Sequence, residues 1–95
     1  MTNLSKKLTQ KDMQSHIQEE AFKLIDNYLP EFYASEARER LLKQYLTVDL
    51  ELIQAVKNKR GKKNPRFLKI LNVLVEIALE NKQTLDSIKS KIDNH

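Results

Sequence analysis

The chain has 95 residues, of which 40% are hydrophobic and 32% are charged, and its formal net charge is +4. This balance excludes an intrinsically disordered protein and predicts one small domain that buries roughly two thirds of its unfolded surface. One glycine and two prolines leave little material for the turns of a β-fold, and the absence of cysteine excludes disulfides and thiol chemistry. We therefore predict a single all-α domain over residues 1–95.

The N-terminal part predicts one helix that follows a disordered segment. Residues 1–8 lack periodicity and lack the apolar region of a signal peptide. Thr9 can cap the first helix, and Pro30 should end it because the residue before a proline avoids the α region. The apolar face of this helix comprises Met13, Ile17, Ala21, Leu24, Ile25 and Tyr28. Three aromatic residues flank the proline: Tyr28, Phe32 and Tyr33. We expect them to pack the loop onto the end of the bundle, with an interaction patch as the alternative.

The middle of the chain predicts a long second helix. Ser35 is a suitable N-cap, and we predict one helix from about residue 36 to 59, closed by Gly61 in the left-handed conformation. The β-branched residues Thr47 and Val48 mark the place where this helix could bend or break. Its apolar face, interrupted by Asp49, comprises Leu41, Leu42, Tyr45, Leu46, Leu52, Ile53 and Val56.

Residues 65–81 form the most apolar predicted helix. Asn64 can cap it, and Pro65 can occupy the first helical position, where its missing N–H costs nothing. The polar residues of this helix form one narrow stripe, so we expect other helices to cover the remaining surface. The stripe consists of Lys69, Asn72, Glu76 and Glu80. The residues expected to be fully enclosed are Leu71, Leu74 and Ala78.

The final segment predicts a short fourth helix that Thr84 caps. Its apolar face comprises Leu85, Ile88 and Ile92. Four helices joined by short loops predict an antiparallel up-and-down four-helix bundle. The longest apolar-rich run, residues 67–79, is shorter than the roughly 20 residues that a membrane span needs. We therefore expect a cytoplasmic protein.

The sequence offers few groups for catalysis. His16 and His95 are its two histidines, and no histidine and carboxylate have the spacing of metal ligands. Gly61 does not open a phosphate-binding loop, and we expect His16 to lie on the surface of the first helix. These features predict a protein that is not an enzyme and that uses no metal, cofactor or small-molecule substrate.

A basic segment, residues 57–69, contains seven basic residues and no acidic one: Lys57, Lys59, Arg60, Lys62, Lys63, Arg66 and Lys69. Such a segment can bind the phosphates of nucleic acid or of anionic lipids. In the competing interpretation, the bases complement the macrodipole at a helix C-terminus and then occupy a solvated loop. Phe67, the one aromatic residue of the segment, is assigned to the core, which disfavours stacking on RNA bases.

The last third of the chain resembles a known family. The pattern Phe67-x-x-Ile70-Leu71-x-x-Leu74-x-x-x-Ala78-Leu79-x-Asn81-Lys82, followed by Thr84 and an amphipathic helix, resembles the immunity proteins of pediocin-like (class IIa) bacteriocins. Members of the enterocin A and streptococcal type are the most similar. The stretch Ala21-Phe22-Lys23-Leu24-Ile25, a proline, and then Glu39-x-Leu41-Leu42 are similar to the first two helices of that family.

The resemblance implies a cytosolic antiparallel four-helix bundle that protects the producer's mannose-type sugar permease from a bacteriocin that uses it as a receptor. The implied partner is the membrane permease–bacteriocin complex, with transient contact to the anionic inner membrane face. In that family the C-terminal half carries much of the recognition. The candidate partner-binding or anionic-surface residues are Lys57, Lys59, Arg60, Lys62, Lys63, Arg66, Leu85, Ile88, Lys89 and Ile92. The alternative is a small basic nucleic-acid-binding or regulatory accessory protein that uses the basic segment.

Overall fold

The computed structural model describes the backbone of residues 10–94, and every regular element in this range is a helix. These helices are α1 (Gln10–Tyr28), α2 (Tyr33–Lys43), α3 (Leu50–Lys57) and α4 (Phe67–Asp93). The predicted all-α class is confirmed for this range, whereas the antiparallel up-and-down arrangement stays a prediction. The predicted disorder of residues 1–8, the Thr9 cap and His95 lie outside the described residues.

The core lies where the first three helices pack against the N-terminal half of α4. Leu41, Ile53 and Leu74, from three different helices, are fully buried. The rings of Phe22 in α1 and Phe67 in α4 have centroids 6.4 Å apart. No polar or charged side chain is buried within the part of the chain that the structure describes. Apolar burial is therefore the main favourable contribution to this fold.

The first helix ends where the proline predicts. α1 stops at Tyr28, two residues before Pro30, and its last carbonyl accepts a hydrogen bond of 2.7 Å from the Asn81 side chain. The Phe22–Phe67 and Tyr28–Asn81 contacts occur in the same order along α1 and α4. One assignment was wrong: Ile17 is 60% exposed, because the packed part of α1 begins only at Ala21.

The predicted continuous helix over residues 36–59 is wrong. The chain leaves the helix after Lys43, and Tyr45 has a left-handed φ of 62°. Here the Tyr45 N–H donates to the Leu42 carbonyl and the Leu46 N–H to the Leu41 carbonyl, both at 2.9 Å, which is a Schellman motif. This motif terminates α2 with a tyrosine at the position that glycine usually occupies.

Asp49 restarts the helix rather than interrupting its apolar face. Its backbone is extended, and its carboxylate accepts a hydrogen bond of 2.9 Å from the Leu52 N–H, so that it caps α3. The β-branched pair Thr47 and Val48 disfavours the helix just before this cap, which explains why the chain breaks here. Ser35 is not a cap, because α2 begins at Tyr33.

Replacing Asp49 by alanine tests this cap. We expect Asp49→Ala to lower the free energy of unfolding by about 1 kcal/mol, because an N–H of the first turn of α3 loses its acceptor. Asp49→Ser should retain most of the stability, since serine also caps helices. Asp86→Ala, at an exposed position within α4, is the control and should change stability by less than about 0.5 kcal/mol. Urea unfolding of the three variants measures these differences, and equal stability of Asp49→Ala and the parent would contradict the assigned cap.

The C-terminus of α3 uses a lysine where the sequence predicted glycine. Lys59 has a φ of 67°, and the Arg60 N–H donates to the Ala55 carbonyl at 2.7 Å in a second Schellman motif. Gly61 is left-handed as predicted, with a φ of 79°, but it lies beyond this motif. Lys59, not Gly61, therefore closes the helix.

The predictions of Asn64 as the cap and Pro65 as the first residue of the last helix were wrong, because Arg66 precedes the helix and no side chain caps it. The Asn64 side-chain oxygen accepts a hydrogen bond of 2.8 Å from the Arg66 N–H, and the Asn64 carbonyl accepts one of 3.0 Å from the Phe67 N–H. Pro65 therefore belongs to a turn that leads into α4, and the regular helix begins at Phe67.

The predicted third and fourth helices are one continuous helix of 27 residues, about 40 Å long. The prediction of a new cap at Thr84 was wrong, because its hydroxyl donates to the Glu80 carbonyl at 3.0 Å within the helix. No glycine or proline separates residues 81 and 84, so nothing stops the helix there.

The burial of α4 changes sharply along its length. Leu71, Leu74 and Ala78 are buried, which confirms the prediction of an enclosed face. The polar stripe is exposed as predicted, but Leu68 and Leu79 also lie on the solvent side, 52% and 40% exposed. The helix is therefore covered over less of its girth than its composition indicated. Beyond residue 82 every described residue of α4 is exposed.

Candidate functional site

The residues predicted as a binding site fall into two separate places. The basic segment lies between α3 and the first turn of α4, whereas Leu85, Ile88 and Ile92 lie near the other end of α4. Helix geometry places residues 67 and 85 about 27 Å apart along the axis. The structure therefore does not bring the two sets of predicted residues into one site.

The C-terminal stripe, defined as Leu85, Ile88 and Ile92, is an apolar surface without a cover. These side chains are 47%, 47% and 68% exposed, and their spacing of three and four residues places them on one side of α4. No other described helix covers this part of α4, because α1, α2 and α3 pack on its N-terminal half. The stripe has the form of a surface that another molecule can bind.

Charged pairs lie beside the stripe. The Lys82 ammonium lies 2.9 Å from the Asp86 carboxylate, and the Lys89 ammonium lies 2.9 Å from the Asp93 carboxylate. The hydrogen bond that Lys82 donates to Asp86 raises the pKa of Lys82, whose ammonium also lies 5.6 Å from the centre of the Tyr28 ring. Lys89, a predicted site residue, therefore already has an internal partner, although its side chain is 75% exposed.

Two of the basic residues contact neighbouring helices. The Lys57 ammonium lies 5.9 Å from the centre of the Tyr33 ring in α2. The Lys59 ammonium lies 3.6 Å from the Asp26 carboxylate and 5.9 Å from the centre of the Phe22 ring in α1. Both lysines thus contact helices that neighbour the end of α3, which neither interpretation of the basic segment predicted.

The other basic residues point to solvent. Arg60, Lys62, Lys63 and Arg66 are exposed, and none has a carboxylate within 4 Å among residues 14–94. Lys59 and Lys62 line one side of a groove of about 450 Å³, and residues of α1, among them Glu19 and Asp26, line the other. The charge on this side is therefore mixed, and the exposed bases beyond the groove are the ones available to an anion.

A cluster of ion pairs between α2 and α4, which the sequence analysis did not predict, centres on Arg40. Its guanidinium donates to both carboxylate oxygens of Glu80, at 2.9 and 2.7 Å, and to Glu36 at 2.8 Å. Glu76 lies 3.8 Å away. The spacing of Glu36 and Arg40 was a visible signal for a pair within one helix, but nothing in the sequence indicated Glu80 as the third member.

Two of the three aromatic residues around Pro30 pack onto the end of the bundle, and the third is exposed. Tyr28 and Tyr33 are partly buried and pack as expected, whereas Phe32 is 70% exposed. Tyr45, assigned from periodicity to an apolar face, is 97% exposed because the chain has already left α2 at that residue.

Within residues 14–94, no group of three or more histidine, aspartate or glutamate side chains is placed to hold a metal ion. None of the described helices is both long and apolar enough to cross a membrane. Comparison with protein-family models, curated proteins and solved structures finds no match to the chain. The likeness to bacteriocin immunity proteins thus stays a prediction from the motifs in the sequence.

Proposed function

We propose that the chain is a non-catalytic immunity protein that protects a membrane sugar permease from a pediocin-like bacteriocin. The observation that carries this proposal is the uncovered C-terminal stripe, because the resemblance places partner recognition in this part of the chain. In the proposal Leu85, Ile88 and Ile92 contact the permease–bacteriocin complex, and no substrate is chemically changed. The protein acts in the cytoplasm, at the inner face of the membrane.

The exposed bases support a position at this membrane face. Arg60, Lys62, Lys63 and Arg66 lack internal carboxylate partners among the described residues, so their charges are available to anionic lipid headgroups. Each favourably placed base contributes about 1 kcal/mol of attraction to an anionic leaflet. Because the stripe lies at the opposite end of α4, a protein held by its basic segment can still direct the stripe towards a partner.

The antiparallel direction of α2 and α3, which an up-and-down bundle requires, also belongs to the proposal, whereas α1 and α4 depart from that arrangement because their contacts occur in the same order along both helices. Support for the antiparallel α2 and α3 comes from the contact between Lys57, at the end of α3, and Tyr33, at the start of α2. Such a contact between opposite ends is the arrangement of an antiparallel pair.

Expression of the chain in a bacteriocin-sensitive strain tests the proposed function. We expect cells that produce the protein to survive at least one member of a panel of pediocin-like peptides that kills cells with an empty vector. The same cells should remain sensitive to an antimicrobial peptide that does not use the sugar permease. If every pediocin-like peptide kills both strains equally, the immunity function is refuted.

The alternative, a nucleic-acid-binding accessory protein, is favoured by the same exposed bases of the basic segment. Such binding would weaken steeply with salt, because each neutralised phosphate releases counterions. A gel shift at low salt with micromolar protein distinguishes the two functions. Binding that is lost when Arg60, Lys62, Lys63 and Arg66 are all replaced by glutamine would support the alternative, and absence of binding by the parent would remove it.

A further inference from the structure

The apolar seam of α4 follows a heptad pattern along its whole length. Residues 67, 71, 74, 78, 81, 85, 88 and 92 alternate in steps of four and three, which is the spacing of the core positions of a coiled coil. The first four are buried inside the protein, and Asn81 is partly buried against α1. The last three positions are the exposed C-terminal stripe. The seam thus continues for about one heptad beyond the helices that cover it.

Beside the exposed part of the seam, the lysines lie closer to the apolar residues than the two aspartates with which Lys82 and Lys89 pair. In the heptad register, Lys82 and Lys89 occupy e positions and Lys91 occupies a g position, the places that face a partner helix. Asp86 and Asp93 occupy b positions, one step further from the seam. Lys91 has no carboxylate within 4 Å among residues 14–94. A helix that packs on the stripe therefore meets lysines at its edges.

We propose that the C-terminal stripe binds an amphipathic helix of another protein whose apolar seam is flanked by acidic residues. A second copy of α4 gains no ion pair here, because antiparallel pairing would place Lys82 against the second copy's Lys89, and parallel pairing would place Thr84 against Lys89. Carboxylates on the partner would instead pair with the lysines at the e and g positions. The inference rests on the proposed function in that both use this stripe, and it names the chemistry of the partner.

The exposed seam is short, so we expect the partner helix to bind weakly. Leu85 and Ile92 lie about 11 Å apart along the helix axis. An interface of this length belongs to the small class that forms transient complexes. Because its edges are charged, we also expect the binding to weaken as the salt concentration rises.

Two labelled synthetic helices of about three heptads test this inference with the full-length chain in solution. Both have leucine at positions a and d, and they differ only in carrying glutamate or lysine at positions e and g. Fluorescence anisotropy should show binding of the acidic peptide, with an affinity at least about tenfold higher than that of the basic peptide. The double variant Leu85→Gln with Ile88→Gln should bind the acidic peptide at least about tenfold more weakly. The matched control, Ser87→Gln with Ser90→Gln, adds the same residues on the opposite face and should bind like the parent.

Several outcomes would overturn the inference. Absence of binding, equal binding of the two peptides, or equal binding of the two double variants would each refute it. A dimer of the parent in analytical ultracentrifugation that the stripe variant abolishes would assign the stripe to a second copy. Binding to phosphatidylserine vesicles but not to the acidic peptide would assign it to a membrane surface. If the parent chain binds the acidic peptide but does not protect cells in the survival assay, the immunity function alone is refuted. If the parent chain protects cells but does not bind the acidic peptide, this inference alone is refuted.

Discussion

Replacing Leu74 by alanine should lower the free energy of unfolding by about 2–5 kcal/mol. Leu74 has no exposed surface and lies in the N-terminal half of α4, within the core, so the substitution removes buried methyl groups and leaves a cavity. A domain of this size has a total stability of only about 5–15 kcal/mol, so the variant should lose a large part of it. Urea unfolding followed by circular dichroism measures the difference.

Leu79→Ala provides the matched control for Leu74→Ala. It makes the same chemical change in the same helix, but Leu79 is 40% exposed, so we expect a loss of less than about 1.5 kcal/mol. Replacing Lys62 or Lys63 by alanine should change stability by less than about 0.5 kcal/mol, because both are exposed. If Leu74→Ala were as stable as the parent, the core assigned to this half of α4 would be incorrect.

Replacing Arg40 by methionine should lower the free energy of unfolding by about 1–2 kcal/mol. The substitution keeps the apolar stem but removes the guanidinium that joins Glu36 in α2 to Glu80 in α4. Three carboxylates, including Glu76, then remain without the cation they surround. The control is Lys89→Met, which removes an exposed pair within one helix and should cost less than about 0.5 kcal/mol. Equal losses in the two variants would show that the Arg40 contacts do not hold α2 to α4.

The Arg40 contacts also predict how stability depends on pH. The hydrogen bonds from Arg40 hold the pKa of Glu80 below its ordinary value of 4.5. The ionised Glu80 therefore contributes its full stability above pH 4.5, and the contribution disappears as the pH falls through the lowered pKa. We expect the parent to be more stable than Glu80→Gln at neutral pH, and the difference to vanish in acid. Urea unfolding at several pH values measures this, and a difference that did not change with pH would contradict it.

The helices could be predicted from the sequence because apolar residues recur with helical spacing wherever a face is buried. The same rule failed where the apolar spacing continued although the backbone had already left the helix. Tyr45 fits the period of the preceding residues, yet the Schellman motif at that residue ends α2. Asp49 was read as a polar interruption, although the residue type is a good cap. The competing hydrogen bonds of a few residues, not the hydrophobic period, determine such boundaries.

The opposite error occurred in α4. Thr84 is a residue type that often begins helices, so the sequence indicated a boundary there. A cap requires the chain to leave the helix beforehand, and residues 81–83 contain nothing that breaks it. The consequence matters for the site, because a continuous helix carries Leu85, Ile88 and Ile92 away from the core. A separate fourth helix would have folded back and buried them.

The residues of the candidate surfaces could be predicted from the sequence, but their positions in the fold and their contacts could not. The basic segment was visible as a run of charge, whereas the roles of Lys57 and Lys59 depend on aromatic rings and a carboxylate from distant parts of the chain. The contact between Arg40 and Glu80 joins residues 40 positions apart, which no local pattern reports. Partners that are distant in the chain are known only once the helices are packed.

The survival assay with the two double variants tests most directly whether the stripe carries the function. Cells that produce Leu85→Gln with Ile88→Gln should be killed by the bacteriocin against which the parent protects. Cells that produce Ser87→Gln with Ser90→Gln should survive as the parent does, and both variants should be folded and present at equal levels. Survival of cells that carry the stripe variant, at the level of the parent, would contradict a function based on the C-terminal stripe.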